Sequence, residues 1–436
     1  MRRRTVGILL AAVLAMPGHV QAQAVFGRVV GRSGLQPNAL LRDPAVSPDG
    51  ARIVFTSTAS NLGAAANISL NVYEFRPDGA ALRLLSRAAN GAPANGNCYL
   101  PVASLLARYV AYESLADNLG PGGAGLQILR TDSGSGITRR ASETAGGVAG
   151  NDQSRYPSIS ADGRFVAFQS FASNLVAADA NNRADIFVKD FADGTVELIS
   201  RNAAGNAADD NAAALSNAAL TGDGRYVVFA SPASNMVSGN TGGVQQVYLR
   251  DRAAAATSRI SESTAGVAGN SQSDQAAISP SGRYVVFRSF AANLVTGAAS
   301  RVFLRDRQAG TLVAAPLPQA AAFSPPLAQS ASACRNPKVA DSGHVVMLCD
   351  LQAGAAAQAF GWHAPTGDLA LLSRAPDGAI GNALSGTGIG LSADAATSVF
   401  ESQAGNLLAG DNNGTADVFW HLAAAGTDAI FYNGLE

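Results

Sequence analysis

Short apolar runs alternate with polar, glycine-rich breaks along this chain, and the alternation itself repeats. The segment 157–170, PSISADGRFVAFQS, has counterparts every 52 to 61 residues from Pro44 almost to the C-terminus, seven copies in all. With the turn residue as origin, the copies fall at Gly50, Ala107, Gly163, Gly224, Gly282, Gly343 and Ala395. Three residues earlier stand Ser47, Ser104, Ser160, Thr221, Ser279, Ala340 and Ser392; five residues later stand Phe55, Tyr112, Phe168, Phe229, Phe287, Leu348 and Phe400. A Ser-Pro-Asp-Gly break suits a tight hairpin, because proline presets φ and glycine accepts φ > 0. One large apolar residue at a fixed place in each copy is what a packed layer between repeats requires.

The pattern predicts four strands per unit. Strand a leads into the turn and strand b leaves it, most clearly as RYVVF at 225–229 and 283–287. The phrase Ser-x-x-x-Asn-Leu follows, at Ser57–Leu62, Ser114–Leu119, Ser170–Leu175, Ser289–Leu294 and Ser402–Leu407, and with methionine at Ser231–Met236. Its Asn is expected to close an Asx-turn with its own backbone while the Leu docks into the unit. Strand c (185–190, 246–251) and strand d (196–201) come next. They carry Val, Ile, Tyr and Phe in the alternation that half-buried strands favour. A period of this length built from short strands signals a propeller or solenoid. The last unit reaches strand c at Asp417–His421 without a convincing strand d, while Phe26–Arg32 resembles the strand d that should precede unit one. The expected fold is all-β: a seven-bladed β-propeller over residues 23–422, closed by an N-terminal strand that completes the last blade. Such closure removes two open strand edges.

The phrases SPDG (47–50), DGRFVAF (162–168) and NNRADIFVKD (181–190) resemble TolB-type, WD-repeat-like propeller units of bacteria, over essentially all of residues 24–421. The resemblance speaks for fold rather than activity. Neither the N-terminal α/β domain of TolB nor the hydrolase domain of prolyl-peptidase relatives has a counterpart in these 436 residues.

The first 22 residues have the layout of a signal peptide: Arg2, Arg3 and Arg4, then an apolar core from Val6 to Met16, then small residues at Val20-Gln21-Ala22. Export to the periplasm or beyond is expected, with the mature chain starting at Gln23. No later stretch is apolar for long enough to span a bilayer. Loss of the three arginines takes the formal charge from −1 to −4. A nucleic-acid partner would call for a basic face instead. The segment 423–436 stands apart as a C-terminal tail, similar to a short Ile-Phe-x-x-Gly-Phe-Glu ending on some exported bacterial proteins, with Leu435 in place of the phenylalanine. A monomer is expected.

Unit six departs from the pattern and holds Cys334 and Cys349 on strands a and b, roughly equidistant from the turn. Facing residues on antiparallel strands come within disulfide reach, and export favours oxidation. A Cys334–Cys349 disulfide with Cys98 as a buried thiol is the expectation; two buried reduced cysteines are the alternative.

Candidate chemistry is sparse. Asp179, Asn181 and Asp185 in one b–c loop, and Asp411, Asn413 and Asp417 in another, share the pattern Asp-x-Asn-x-x-x-Asp. Oxygen donors so spaced suit a hard cation such as Ca²⁺, or simply cap the turn and strand c. His344, His363 and His421 lack metal-ligand spacing, no Gly-x-Ser-x-Gly elbow occurs, and Asp209-Asp210 suits a solvated loop better than a glycosidic acid–base pair. Trp362 and Trp420 on c strands suggest blade packing, with sugar stacking the alternative. Arg201, Arg250, Arg252, Arg259, Arg305 and Arg307 could line an anion belt; the interleaved Asp190, Asp251 and Asp306 favour outer-strand ion pairs. The a–b and c–d turns are short, while the b–c and d–a connections, such as 141–153 and 262–272, are long and share the opposite face. Function tends to sit on such loops. The expectation is a non-enzymatic scaffold binding a protein or glycan partner through the long-loop face. A glycan lyase or hydrolase with its site at the central channel, or a purely structural envelope protein, are the alternatives.

Overall fold

Seven four-stranded antiparallel sheets follow one another around an axis, each in the order a-b-c-d. The computed structural model describes residues 25–422 apart from 32–33, 64–68, 80, 121–124, 180, 213–218, 240–242, 299–300, 325 and 328. The segments expected to be a signal peptide (1–22) and a C-terminal tail (423–436) lie outside the described residues. Blade seven joins the two ends of the chain. Its strands are Ser385–Leu391, Thr397–Ser402 and Asp417–Leu422, and its outermost strand is Val25–Arg28, paired Val25↔Leu422 to Arg28↔Phe419. Gly27 is required there, because a Cβ would lie 2.2 Å from the Trp420 ring.

The repeated residues have repeated jobs. In six blades the hydroxyl three residues before the turn residue accepts an amide at the start of strand b: Arg52 N–H to Ser47 Oγ at 3.0 Å, Phe165 N–H to Ser160 Oγ at 2.9 Å, Thr397 N–H to Ser392 Oγ at 2.9 Å. The turn glycines at 163 and 224 have φ of 74° and 73°, and their missing side chains make room for the rings of Tyr109 and Phe165 from the preceding blade. The aromatic on strand b stacks on its cross-strand neighbour on strand c, as in Phe55–Tyr73, Phe168–Phe187, Phe229–Tyr248, Phe287–Phe303 and Phe400–Phe419, with centroids 5.7–5.9 Å apart. Offset pairs of this kind add to simple burial.

Blade six corrects the sequence alignment. Ala340 has no hydroxyl to offer, and the turn closes one residue earlier, with Ala340 N–H donating to His344 O. The register therefore places Met347, not Leu348, opposite the strand-c aromatic Phe360. Leu348 faces the other side and packs with blade seven.

Cys334 and Cys349 are register partners with Sγ atoms 2.09 Å apart. Other blades fill the same cross-strand position with Ser154–Ser170 and Ser273–Ser289 hydroxyl pairs at 2.9 and 2.8 Å, and blade two with Cys98 beside Ser114 at 3.4 Å. The bridge thus replaces a hydrogen-bonded pair that already brings two Cβ atoms together. Burial pushes the Cys98 thiol up to about 12, so it stays protonated.

Candidate binding face and central channel

The asparagines of Ser-x-x-x-Asn-Leu do something the sequence reading missed. Each reaches across to the d–a loop that precedes its blade instead of folding back on its own backbone. Asn174 donates through Nδ2 to Ala149 O at 2.9 Å and accepts Asn151 N–H at 2.9 Å; Asn118, Asn235 and Asn293 repeat the bridge, as does Asn406 in blade seven. Asn61 does the same with Gln36 and Asn38 of the N-terminal segment. The serine four residues earlier accepts the amide two positions on, and the following Leu or Met is buried. Five d–a loops are small hairpins closed by single bridges such as Glu143↔Ala149 and Glu262↔Ala268. The long-loop face is therefore braced, loop against loop. Onto it the b–c loops lift Leu115, Phe171 and Phe290, and the last d–a loop lifts Leu384, at 51, 41, 36 and 38 % exposure. Phe290 lies between two guanidiniums, Arg301 at 4.2 Å and Arg288 at 5.1 Å.

The two Asp-x-Asn-x-x-x-Asp loops meet protein donors. The first residue of strand c accepts a strand-d serine hydroxyl in most blades: Gln127 from Ser142, Gln246 from Ser261, Gln358 from Ser373. Asp185 takes this place in blade three, accepting Ser200 Oγ–H at 2.5 Å. Glutamine also donates onward, Gln246 Nε2 to Gly269 O and Gln358 Nε2 to Gly381 O. Aspartate has no such donor, and Asn181 supplies it, giving one Nδ2–H to Asp185 at 2.6 Å and the other to Ala208 O at 2.9 Å. Burial raises the Asp185 carboxyl to about 6, and raises that of Asp179, whose Oδ1 is buried without a hydrogen-bond partner among the described residues. In blade seven Gln36 Nε2 bridges Asp411 at 2.6 Å and Asp417 at 2.8 Å, and the Arg28 guanidinium lies 3.3 and 3.6 Å from the same two groups. Burial leads in raising Asp417 to about 6. Asn413 donates to Pro37 O at 2.9 Å. Among the described residues no group of three or more His, Cys, Asp or Glu side chains is placed to hold a metal ion.

The arginines turn inward on the fold. Asp190, Asp251 and Asp306 pair with Arg164, Arg225 and Arg283 at the start of strand b, at 2.6–2.7 Å, rather than with arginines of strands c and d. Arg250 and Arg305 are buried and reach carbonyls of the preceding d–a hairpin, Asn202 O and Glu262 O. Arg252 and Arg307 cap Gly224 O and Gly282 O while lying over the rings of Phe165 and Tyr226. Arg201 and Arg259 pair with Glu197 and Glu262. His344 and His363 stack at 4.0 Å across blade six, each bonded to a neighbouring hydroxyl, whereas His421 sits apart against Phe26. Trp362 and Trp420 are buried. Asp209 holds the Ser234 loop while Asp210 faces Arg183, so the two do not share a cleft.

The innermost strands enclose a channel of about 360 Å³. β-Bulges interrupt them seven residues before the turn residue, with positive φ at Asp43, Leu100, Tyr156, Gln275 and Asn336. Next to the bulges, toward the long loops, polar pairs face one another on strands a and b. These are Tyr99↔Glu113 and Asp274↔Arg288, the latter with a 2.7 Å ion pair; in blade six Arg335, whose register partner is Leu348, reaches diagonally to Asp350 at 3.0 Å. Glu113 accepts Tyr156 N–H at 2.7 Å from the next blade; burial raises its pKa, with Arg155 and Asp43 acting on it from either side. Aligning the repeats would have exposed this polar position within otherwise apolar strands.

No family model and no curated protein matches this sequence. Solved structures do match. An oligogalacturonate lyase from Vibrio parahaemolyticus is 11 % identical, with a TM-score of 0.52 over 93 % of this chain and 98 % of that one. The β-propeller domain of the Trilobed protease from Pyrococcus furiosus, described as having an open velcro topology, is 12 % identical, with a TM-score of 0.51 over 84 and 89 %. TolB from Acinetobacter baumannii is 13 % identical, with a TM-score of 0.43 over 88 and 79 %. At these identities the likeness is one of fold, that of a β-propeller.

Proposed function

We propose that this chain is an exported binding scaffold, periplasmic or extracellular, which engages a protein or glycan partner through its long-loop face. The observation that carries the reading is the repeated asparagine bridge. It fixes the loops before any partner arrives, so ordering them costs little on association, and the fixed surface offers Leu115, Phe171, Phe290 and Leu384 to solvent. Exposed aromatic and aliphatic side chains on a rigid polar surround suit protein anchors or the apolar face of a sugar. The test is capture from envelope extract and a glycan array with the wild type and a Phe171→Ala/Phe290→Ala variant. Both side chains are surface groups, so the variant should melt like wild type. A saturable partner lost by the variant supports the reading; equal capture by both moves the site off this face. A second reading, a glycan lyase or hydrolase at the channel, draws on Glu113, whose raised pKa beside Arg155 suits a proton donor. Turnover of a glycan by wild type and its loss in Glu113→Gln would select that reading.

A further inference from the structure

The half of the channel nearer the a–b turns differs from the polar half. Pro280 and Ala393 of the turns stand at its mouth, and Val46, Ile159, Leu220, Ile278, Val339 and Leu391 contribute to its wall. Five residues before the turn residue, the innermost strands place Ala45, Val102, Ser158, Ala219, Ala277 and Gly390, small and uncharged. The seventh equivalent position, in blade six, is Lys338, paired in register with Val346.

This lysine is unlike the other inward-turned cations. Lys189, for example, meets Thr144 O, Gly194 O and Glu143. Lys338 has no hydrogen bond or ion pair among the described residues. The side chain is half-buried in the channel wall, so solvent reaches part of it. Burial alone lowers its pKa, to about 8, with no carboxylate acting on it; the ammonium is still the main form at neutral pH. Asp43, an acid in the same wall, is tied to Thr56 Oγ1 at 3.0 Å and lies near Arg42. An enclosed charge without a partner is costly, and a counter-charge offsets that cost. One cation balances one negative charge. Pro44, Pro101, Pro157 and Pro337 at the bulges have no N–H, and among the described residues the wall holds no second cation beside Lys338. A phosphate would remain under-compensated, whereas a monoanion with an apolar body matches both the ammonium and the wall.

We propose that the turn-side half of the central channel is a binding site for small organic carboxylates, with the carboxylate on Lys338 Nζ and the apolar body against the ring of valine, leucine and isoleucine side chains. The site opens on the face opposite the long loops and is independent of the partner proposed there.

Calorimetric titration of the purified chain with benzoate and hexanoate, their neutral amides, and inorganic phosphate tests it. Lys338→Met keeps the side-chain length and removes the enclosed charge; Lys338→Gln is the second variant should the first misfold. Wild type should hold the carboxylates about tenfold to a hundredfold more tightly than the amides, the worth of a charged hydrogen bond. Either variant should hold acid and amide alike, while Phe171→Ala/Phe290→Ala should retain the preference. The proposal is overturned if wild type binds no carboxylate at millimolar concentration, shows no preference over the amides, or prefers phosphate, or if the variants keep the preference.

Discussion

Replacing Arg28 by methionine probes the seam where the two ends of the chain meet. The Asp411 and Asp417 side chains are 5 and 0 % exposed, and Arg28 lies within 3.6 Å of both. Methionine fills the space but leaves two buried carboxyls with only Gln36 and Asn413 as donors. Breaking a buried pair costs about 3–5 kcal/mol, and the continued donation by Gln36 puts this case near 3 kcal/mol. The pH dependence is the sharper readout. Asp417 in the folded chain titrates near 6, above its ordinary 3.8. A carboxyl raised on folding weighs against stability above the folded pKa, and that penalty fades as pH falls toward the unfolded value. Losing Arg28 raises the carboxyl further, so the variant's deficit should be largest at pH 7.5 and clearly smaller at pH 4.5. Urea unfolding gives the size, and hydrogen exchange at Val25–Arg28 shows whether the seam opens first. A deficit below about 1 kcal/mol at pH 7.5, the scale of a surface ion pair, or one that does not shrink in acid, would refute this account of the closure.

Three further outcomes follow from single contacts. Gly27→Ala drives a Cβ into Trp420 and should cost about 1–3 kcal/mol by urea midpoint, with exchange again raised in the first strand. Asn174→Ala removes the two hydrogen bonds that Asn174 makes to residues 149 and 151, leaving the Asn151–Ser173 contacts; about 1–2 kcal/mol should be lost, and limited proteolysis should cut within 141–153 before elsewhere. Burial holds His421 down to about 4, with its Nε2 at 2.7 Å from Leu372 O. Its contribution is present above the ordinary 6.5 and is lost as pH falls toward 4, so His421→Phe should flatten the acid side of the melting profile in that window.

Much of the fold was legible because the same job recurs in every blade. The serine before each turn, the strand-b aromatic and the buried leucine each sit at one offset, and the missing strand d of unit seven pointed to the N-terminal segment. Blade six was misaligned by one residue for a physical reason that a fixed offset cannot carry: Ala340 has no hydroxyl to hold the longer turn, so the register moved to Met347. The asparagine bridges were invisible for another reason. Their partners are backbone groups about 25 residues away, on loops with varied side chains, and only the fold brings them together. Lys338 escaped notice because its importance lies in its six small counterparts, not in its own neighbours.

The acidic loops are the instructive case, because two aspartates and an asparagine at this spacing suit a cation as well as they suit a strand cap. What separates the readings is the equivalent residue in other blades. Gln127, Gln246 and Gln358 each do with one side chain what Asp185 and Asn181 do together: accept a serine hydroxyl and donate to the loop. If that equivalence governs the site, Asp185→Gln with Asn181→Ser converts blade three to the common arrangement. It removes a desolvated carboxyl that titrates near 6 instead of 3.8, which should add on the order of 1–2 kcal/mol at pH 7.5. Wild type should gain stability between pH 6 and 4 as Asp185 takes up its proton, and the variant should lose that gain. Added Ca²⁺ should leave the midpoint of both proteins unchanged. A Ca²⁺-dependent rise in wild type alone would make the carboxylates ligands and the glutamine comparison a coincidence of position.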